Sequence, residues 1–318
     1  MSCYLFVHFR ETSTPDGEQV YFALSRDGYN WSEINGGRPV LWAYQGDHGV
    51  RDMTVVRDRH TGLIHIFATD LSLSYGMRGK YAHSWKNISL HGSKALGHWV
   101  SGDLVSWSEE ELVTVADADF GCVWAPDVIY DARNDDYILH WSSSHKSNDF
   151  GPKAIYFSRT KDFKFFTPPQ RLYGRENCSI IDSAMYEENG LYYMFVKSET
   201  QPKNIQLLKS DRPDGGFAPV EAFDEAIKDI EGGLYEAPTA VRLDDGSWNL
   251  FLDFYGTSGA GQGYVPWHAP SLASGAFRRE DERFSFPYRF KHGTILTISQ
   301  SEYDRMNTYD WAQWKDGR

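Results

Sequence analysis

Short runs of apolar and aromatic residues recur along most of the chain, and polar residues with Gly, Asp or Asn separate them. The segment CSIIDSAMYEENGLYYMFVK at 178–197 is representative, because an apolar strand, a turn and a second aromatic-rich strand follow one another. Such runs at even spacing are typical of β-strands joined by tight turns. No stretch shows a convincing amphipathic helix, so the pattern predicts an all-β fold.

A longer period underlies these strands. A polar anchor, an apolar strand, a turn and an aromatic-rich strand form one unit, and this unit recurs through the chain. The anchors are Asp52, Asp127, Asp182, Glu236 and His292. Successive anchors are 75, 55, 54 and 56 residues apart, and an insertion around residues 72–92 accounts for the longer first spacing.

A second motif lies between the anchors. Asp27, Asp103 and Asp162 each follow a strand and a Ser or Thr, and an aromatic residue stands four positions after each Asp. An Asp in this context accepts backbone N–H groups in a turn, while the aromatic side chain packs between layers. We therefore interpret these three aspartates as structural.

The two motifs together predict a five-bladed β-propeller with four-stranded antiparallel blades. The chain opens on a second-strand pattern, CYLFVHFR, and KHGTILTIS near its end supplies the missing first strand. Both termini would then close the ring and leave no open sheet edge. We expect one domain over residues 1–318, with 301–318 as a short C-terminal tail or helix.

Composition and charge narrow the function. The net charge of −12 repels a phosphate backbone, so we expect no nucleic-acid partner. No run approaches the length of a membrane span, and we expect no membrane partner. The N-terminus lacks the basic region of a signal peptide, which favours a cytoplasmic protein, although a secreted protein with its leader trimmed would look the same. Three widely spaced cysteines predict reduced, buried thiols.

First strands of a propeller line its central channel, so the five anchors should meet at one mouth. Carboxyl groups that share a cavity repel one another, and at least one pKa should rise. Hydrolysis of a glycosidic bond needs such a set, with one protonated acid and one ionised carboxylate. No nucleophile elbow, zinc-binding H-E-x-x-H motif or Walker loop competes with this interpretation.

The chain resembles glycoside hydrolase family 43, whose five-bladed propellers trim arabinose- and xylose-containing polysaccharides. The resemblance rests on GVRDM, VWAPDVIYD, IIDSAMYEENGLYYMF, YEAPTAVRL and KHGTI, which follow in the family's order at blade spacing. It implies an inverting mechanism with Asp52 as general base, Asp182 as pKa modulator and Glu236 as general acid. Met53 and Ser183 stand where the family usually has Pro, and Glu231 is a rival to Glu236. Inversion predicts about 6.5–9.5 Å between the Asp52 and Glu236 carboxyl groups.

The resemblance also implies supporting residues for substrate binding. Trp124 is expected to offer a platform for the sugar, with core packing as the alternative. Asp127 is expected to bind sugar hydroxyls or to tie the blade together. His48 and Arg51 are expected to shape the pocket, unless they are ordinary surface residues. His292 matches a channel histidine that lies near a metal ion such as calcium in some members. The resemblance therefore implies one candidate metal site near His292 and no required cofactor.

The leading hypothesis is an exo-acting α-L-arabinofuranosidase that releases terminal arabinose from oligosaccharides or polysaccharide side chains, in hemicellulose degradation. The alternatives within the family are a β-D-xylosidase and an exo-galactanase. A non-catalytic sugar-binding propeller is a further alternative, but the presence of Asp52, Asp182 and Glu236 argues against it because sugar binding alone does not need these three acids. A sialidase would require a cluster of channel arginines, and only Arg51 is directly adjacent to an anchor in the sequence.

Overall fold

The protein is described by a computed structural model. The structure describes residues 2–10, 14–77, 79–201, 203–256, 263–287 and 290–311. Within these ranges, five four-stranded antiparallel sheets form the blades of a propeller. The prediction of an all-β, five-bladed propeller is therefore confirmed.

Each blade is a single sheet that runs outward from its innermost strand. Blade I contains β20 (Thr294–Ile298), β1 (Cys3–His8), β2 (Tyr21–Ser25) and β3 (Trp31–Glu33). Blade II contains β4 (Val50–Arg57), β5 (Ile64–Asp70), β6 (Ala95–Ser101) and β7 (Glu111–Thr114). Blade III contains β8 (Trp124–Asp131), β9 (Asp136–Ser143), β10 (Ala154–Thr160) and β11 (Gln170–Tyr173). Blade IV contains β12 (Ile180–Glu188), β13 (Leu191–Ser198), β14 (Asn204–Ser210) and β15 (Ala218–Pro219). Blade V contains β16 (Tyr235–Arg242), β17 (Trp248–Phe254), β18 (Gly263–Ala269) and β19 (Arg278–Arg279).

Blade I joins the two ends of the chain. Strand β20 pairs with β1 in antiparallel register, from Cys3 opposite Ile298 to Val7 opposite Thr294. The five innermost strands also contact one another in a ring, β4 with β8, β8 with β12, β12 with β16, β16 with β20 and β20 with β4. The C-terminal KHGTILTIS segment therefore supplies the first strand that the N-terminal pattern lacks.

The hydrophobic core is divided among the spaces between neighbouring blades. Blades I and II, for example, bury Leu5 and Phe22 against Val50 and Ile66. Four further clusters fill the remaining gaps in the same way. Aromatic residues make up 15% of the chain and dominate several of these clusters. Their large rings fill the wedge between twisted sheets. All three cysteines are buried as free thiols.

The turn motif has the predicted structural role. Asp27 accepts the N–H groups of Tyr29 and Asn30 at 2.8 Å each. Asp103 and Asp162 accept two backbone N–H groups each in the same arrangement. These carboxylates hold hairpin turns on the outer strands and take no part in the channel.

Within the described residues, three short α-helices depart from the strand pattern. They are α1 (Trp85–His91), α2 (Glu221–Ala226) and α3 (Gln300–Thr308). Helix α1 lies in the predicted insertion of blade II. Helix α3 begins with a capping box between Ser299 and Glu302 and packs on β1, so the predicted C-terminal helix exists in part. Residues 312–318 and most of the Gly-rich 256–263 segment lie outside the described residues. No helix in the described ranges could cross a membrane.

Candidate active site

The innermost strands of blades II to V carry the same irregularity near their starts. In each, two residues face a single residue of the next strand, which is a β-bulge. The first bulge residue always has a positive φ despite not being glycine. These residues are Asp52 (52°), Ala125 (49°), Asp182 (53°) and Ala237 (51°). A left-handed conformation costs about 1–2 kcal/mol per residue, and four repeats of it indicate a built feature of the channel mouth.

The bulges correct the repeat alignment drawn from the sequence. Asp52 and Asp182 occupy equivalent bulge positions, but Glu236 precedes its bulge and Asp127 follows its own. The spacing of 54 to 56 residues between those anchors was therefore only an approximate register. A shift of one residue moves a side chain to the other face of a strand, which spacing alone does not reveal.

Asp52 is held as an ionised carboxylate by its neighbours. Its Oδ1 lies 3.2 Å from His292 Nδ1, and its Oδ2 accepts the Thr69 hydroxyl at 3.1 Å. Burial raises the pKa of Asp52, but attraction to the His292 imidazolium and its hydrogen bond outweigh burial and hold that pKa below its ordinary value.

Asp182 has the opposite electrostatic environment. Its side chain is buried, and its Oδ2 accepts the Ala237 N–H at 3.3 Å. Burial raises the pKa of Asp182 to about 6; repulsion from Glu236 and Asp52 adds to this, while His292 and Lys197 oppose it. Asp52 contacts His292, Asp182 contacts the residue after Glu236, and the charges of all four residues influence one another. These four anchors therefore lie near one another, and their catalytic roles stay predictions.

Glu236 faces a cation that the sequence did not predict. Its Oε2 accepts a hydrogen bond from Lys197 Nζ at 3.0 Å, and its side chain keeps 27% of its surface exposed. The rival Glu231 is exposed and lines a surface cleft with Lys203 and Asp224. Asp52, Asp182 and Glu236 do not line that cleft.

His292 lies between the acids as a protonated imidazole. Burial lowers its pKa, but Asp52 above all, then Asp182 and Glu236, raise that pKa to about 9. The prediction of a metal ion near His292 stays a prediction. Across the described residues, no three His, Cys, Asp or Glu side chains converge as a ligand set.

The positive charge on His292 makes the free energy of unfolding depend on pH. Because its folded pKa of about 9 exceeds the ordinary value of 6.5, it binds more protons when folded, and its contribution is lost as pH rises from 6.5 through 9. We expect His292→Gln to destabilise the protein by up to about 3 kcal/mol at pH 6, and by much less above pH 9. Urea unfolding at both pH values measures this, with His91→Gln as the control. An equal loss at both pH values would contradict the assignment.

Both carboxylate oxygens of Asp127 accept hydrogen bonds from other residues of the protein. Its Oδ1 accepts the Thr54 hydroxyl at 2.9 Å, and its Oδ2 accepts the Met185 N–H at 2.8 Å. Both contacts reach neighbouring blades, and burial raises the pKa of Asp127 to about 6. This geometry supports the blade-tying alternative, and a contact between Asp127 and sugar stays a prediction.

Removal of Asp127 should therefore cost stability. Asp127→Ala leaves two buried donors without an acceptor, and we expect the free energy of unfolding to fall by about 3 kcal/mol. Asp127→Asn keeps one acceptor and should cost about 1 kcal/mol. Urea unfolding ranks the two variants, and equal stability of Asp127→Ala and the parent protein would exclude the tie between blades.

Arg51 and His48 precede Asp52 in the chain and differ in burial. Arg51 is buried, donates to Glu18 at 2.9 Å and covers the ring of Phe9. These contacts make Arg51 part of the scaffold that supports the neighbouring Asp52. His48 is exposed and its ring lies 5.9 Å from that of Tyr75. A role for either residue in binding sugar stays a prediction.

Trp124 occupies the position in blade III that Glu236 occupies in blade V, immediately before the bulge. Lys153 Nζ lies 4.7 Å from the centre of its ring, and the ring of Trp85 meets it edge to face. Trp85, from the inserted helix α1, is half exposed. The role of Trp124 as a sugar platform stays a prediction.

Sequence reasoning missed the residues that support the acids from the second strands. Thr69 lies opposite Arg51, and Lys197 lies opposite Ile181, each beside a bulge. Tyr255 belongs to neither sequence motif, yet its hydroxyl lies 3.1 Å from Lys197 Nζ. The one available signal for Lys197 was a basic residue at the end of the apolar segment YYMFVK.

Comparisons with known proteins identify the family of the chain. The profile of a family related to glycoside hydrolase family 43, described as a probable glycosyl hydrolase domain, matches residues 1–304. The chain therefore belongs to this glycoside hydrolase family.

A curated relative is an α-L-arabinofuranosidase of Bifidobacterium longum subsp. longum. It is 25% identical over 308 residues, which cover 82% of this chain and 28% of that protein. This chain thus spans a little over a quarter of its relative.

Solved structures share the fold. The catalytic domain of a family 62 α-L-arabinofuranosidase from Coprinopsis cinerea superposes with a TM-score of 0.56 at 18% identity, over 77% of this chain and 74% of the other. An endo-1,4-β-xylanase from Bacteroides thetaiotaomicron superposes with a TM-score of 0.59 at 12% identity, over 92% of both chains. At these identities the similarity shows the propeller fold alone.

Proposed function

We propose that the protein is an inverting, exo-acting α-L-arabinofuranosidase. The observation that carries this proposal is the opposite electrostatic setting of carboxyl groups in one site. The pKa of Asp52 is lowered, and burial raises that of Asp182 to about 6. A lowered pKa suits a base that must stay ionised, which is the role of Asp52, and perturbed carboxyl groups gathered in one cleft are typical of a catalytic site.

Asp52 is the general base in this mechanism. It takes a proton from the water whose oxygen attacks the anomeric carbon, and the imidazolium of His292 fixes its orientation. The Thr69 hydroxyl occupies the other carboxyl oxygen, so Asp52 has few ways to rotate out of position.

Glu236 is the general acid, and it gives its proton to the leaving glycosidic oxygen as the C–O bond breaks. Asp182 accepts the Ala237 N–H next to Glu236, and in this proposal it is the pKa modulator of the acid. Only protein groups and water act in these steps, so we propose that no cofactor is required. Activity that survives a chelator would support this point.

The substrate class is drawn from the relative and the family. An arabinofuranosidase is the curated relative, whereas the structural neighbours also include a xylanase. Arabinofuranosides are the first candidates, and β-D-xylosides and β-galactans are the alternatives.

Release of 4-nitrophenol from the α-L-arabinofuranoside and the β-D-xyloside tests this proposal. Faster release from the arabinofuranoside supports the arabinofuranosidase, and faster release from the xyloside replaces it with a xylosidase. If neither is cleaved, a galacto-oligosaccharide digest tests the galactanase. Binding of all three sugars without turnover would leave a non-catalytic sugar-binding propeller.

A further inference from the structure

Lys197 occupies a position that carries a short hydroxyl side chain in two other blades. Each second strand has one residue opposite the residue that precedes the bulge. In blades II and III these residues are Thr69 and Ser142. Their hydroxyl oxygens accept the N–H groups of Ala125 at 2.9 Å and Asp182 at 3.1 Å, which are the bulge residues of the next blade. The hydroxyls therefore fasten each bulge to its neighbour.

Lys197 breaks this pattern in blade IV. An ammonium group has no acceptor, so it cannot take the N–H of Ala237, the next bulge residue. Asp182 Oδ2 accepts that N–H instead, at 3.3 Å. Lys197 extends to Glu236. Lys197 is in blade IV, and the proposed general acid Glu236 is in the next blade, blade V.

The contacts of Lys197 use all of its donors. Its Nζ lies 3.0 Å from Glu236 Oε2, 2.9 Å from Glu199 Oε1 and 3.1 Å from the Tyr255 hydroxyl. Its side chain is 4% exposed, so the ammonium is held almost out of water. A buried lysine is costly unless it is paired, and three partners fix this one in a single orientation.

Glu199 anchors the arrangement from the outside. Its second oxygen accepts Lys203 at 3.0 Å, so Glu199 is shared between two ammonium groups. Lys203 has no contact with Glu236 among those the structure describes. The chain thus offers two neighbouring lysines, of which one touches the proposed acid.

We propose that Lys197 is a positioning residue for Glu236. This rests on the proposed function. Lys197 occupies Oε2 and leaves Oε1 as the atom that carries the transferred proton. When that proton moves to the glycosidic oxygen, the electron pair of the breaking C–O bond goes to the same oxygen, and Glu236 becomes a carboxylate. The fixed ammonium then stabilises the negative charge that develops on Glu236, without reorganisation of solvent.

The dependence on the leaving group tests the proposal. A dinitrophenolate leaves without protonation, whereas a sugar alcohol needs the acid. We expect Lys197→Met to lower kcat/KM by at least about 30-fold on an arabino-oligosaccharide and by less than about 3-fold on the 2,4-dinitrophenyl arabinofuranoside. Lys197→Arg should recover part of the loss, and Lys203→Met should match the parent enzyme on both substrates. Equal losses on both substrates in Lys197→Met would overturn the positioning role.

A crystal structure of Lys197→Met provides a readout that does not need turnover. We expect the Glu236 carboxyl group to leave its position or occupy several rotamers in Lys197→Met, and to stay in place in Lys203→Met. An unmoved Glu236 in Lys197→Met would refute the proposal whatever the substrate. If the parent protein cleaves no glycoside, the proposed function fails, and this structure still decides the role of Lys197.

Discussion

Glu236→Gln is expected to lower kcat/KM on arabino-oligosaccharides by about 10³-fold, because the amide cannot donate the proton that a sugar leaving group needs. The fold should tolerate the change. Glutamine has the same shape, and its oxygen can still accept from Lys197, which also keeps Glu199 and Tyr255 as partners.

The leaving group separates this loss from simple damage to the site. The same variant should lose far less activity on a 2,4-dinitrophenyl glycoside, since that leaving group departs without protonation. Its affinity for arabinose-containing product, measured by calorimetry, should stay close to that of the parent protein. Full activity of Glu236→Gln on oligosaccharide would remove Glu236 from the mechanism. Glu231→Gln is the matched control and should remain active, because Glu231 lines a cleft that Asp52, Asp182 and Glu236 do not line.

Asp52→Asn is expected to lower kcat on every glycoside by about 10³-fold, including those with activated leaving groups, because the attacking water loses its base. His292 keeps a hydrogen-bond acceptor in the variant but loses the nearest negative charge that raises its pKa. The expected pattern therefore differs from that of Glu236→Gln.

Azide provides the control for Asp52→Asn. This anion attacks without losing a proton, so it should restore turnover and give a glycosyl azide of inverted configuration. Azide should not restore Glu236→Gln on oligosaccharide, where protonation of the leaving group limits the rate. Failure of azide to accelerate Asp52→Asn on a dinitrophenyl glycoside would contradict the role of Asp52 as base.

The sequence predicted the blades well because each is a local unit. Strand, turn and strand repeat at nearly constant spacing, and aspartates such as Asp103 mark the hairpins by themselves. Closure between β20 and β1 was also predictable, because the N-terminal strand lacks a first-strand partner in its own region. Helices α1 and α2 are too short for a helical period to stand out from the strand pattern.

The site was predicted less completely than the fold. Asp52, Asp182 and Glu236 follow from motifs in order, and the structure brings them together. The bulges were not visible, so Asp127 was aligned with Asp52 although its carboxylate ties blades together. Lys197 was missed because its relation to Glu236 depends on which residues face each other across β12 and β13 and on the contact with the next blade. Such contacts arise only when the sheets are assembled.

The anomeric configuration of the first product distinguishes inversion from retention. If Asp52 activates water on the face opposite the leaving group that Glu236 protonates, an α-L-arabinofuranoside must give β-L-arabinofuranose first. Proton NMR recorded during the first minutes of hydrolysis, before the free sugar equilibrates, should show the β anomer leading. If the α anomer appears first, the reaction proceeds with retention, and this result would contradict the roles of Asp52 as general base and Glu236 as general acid.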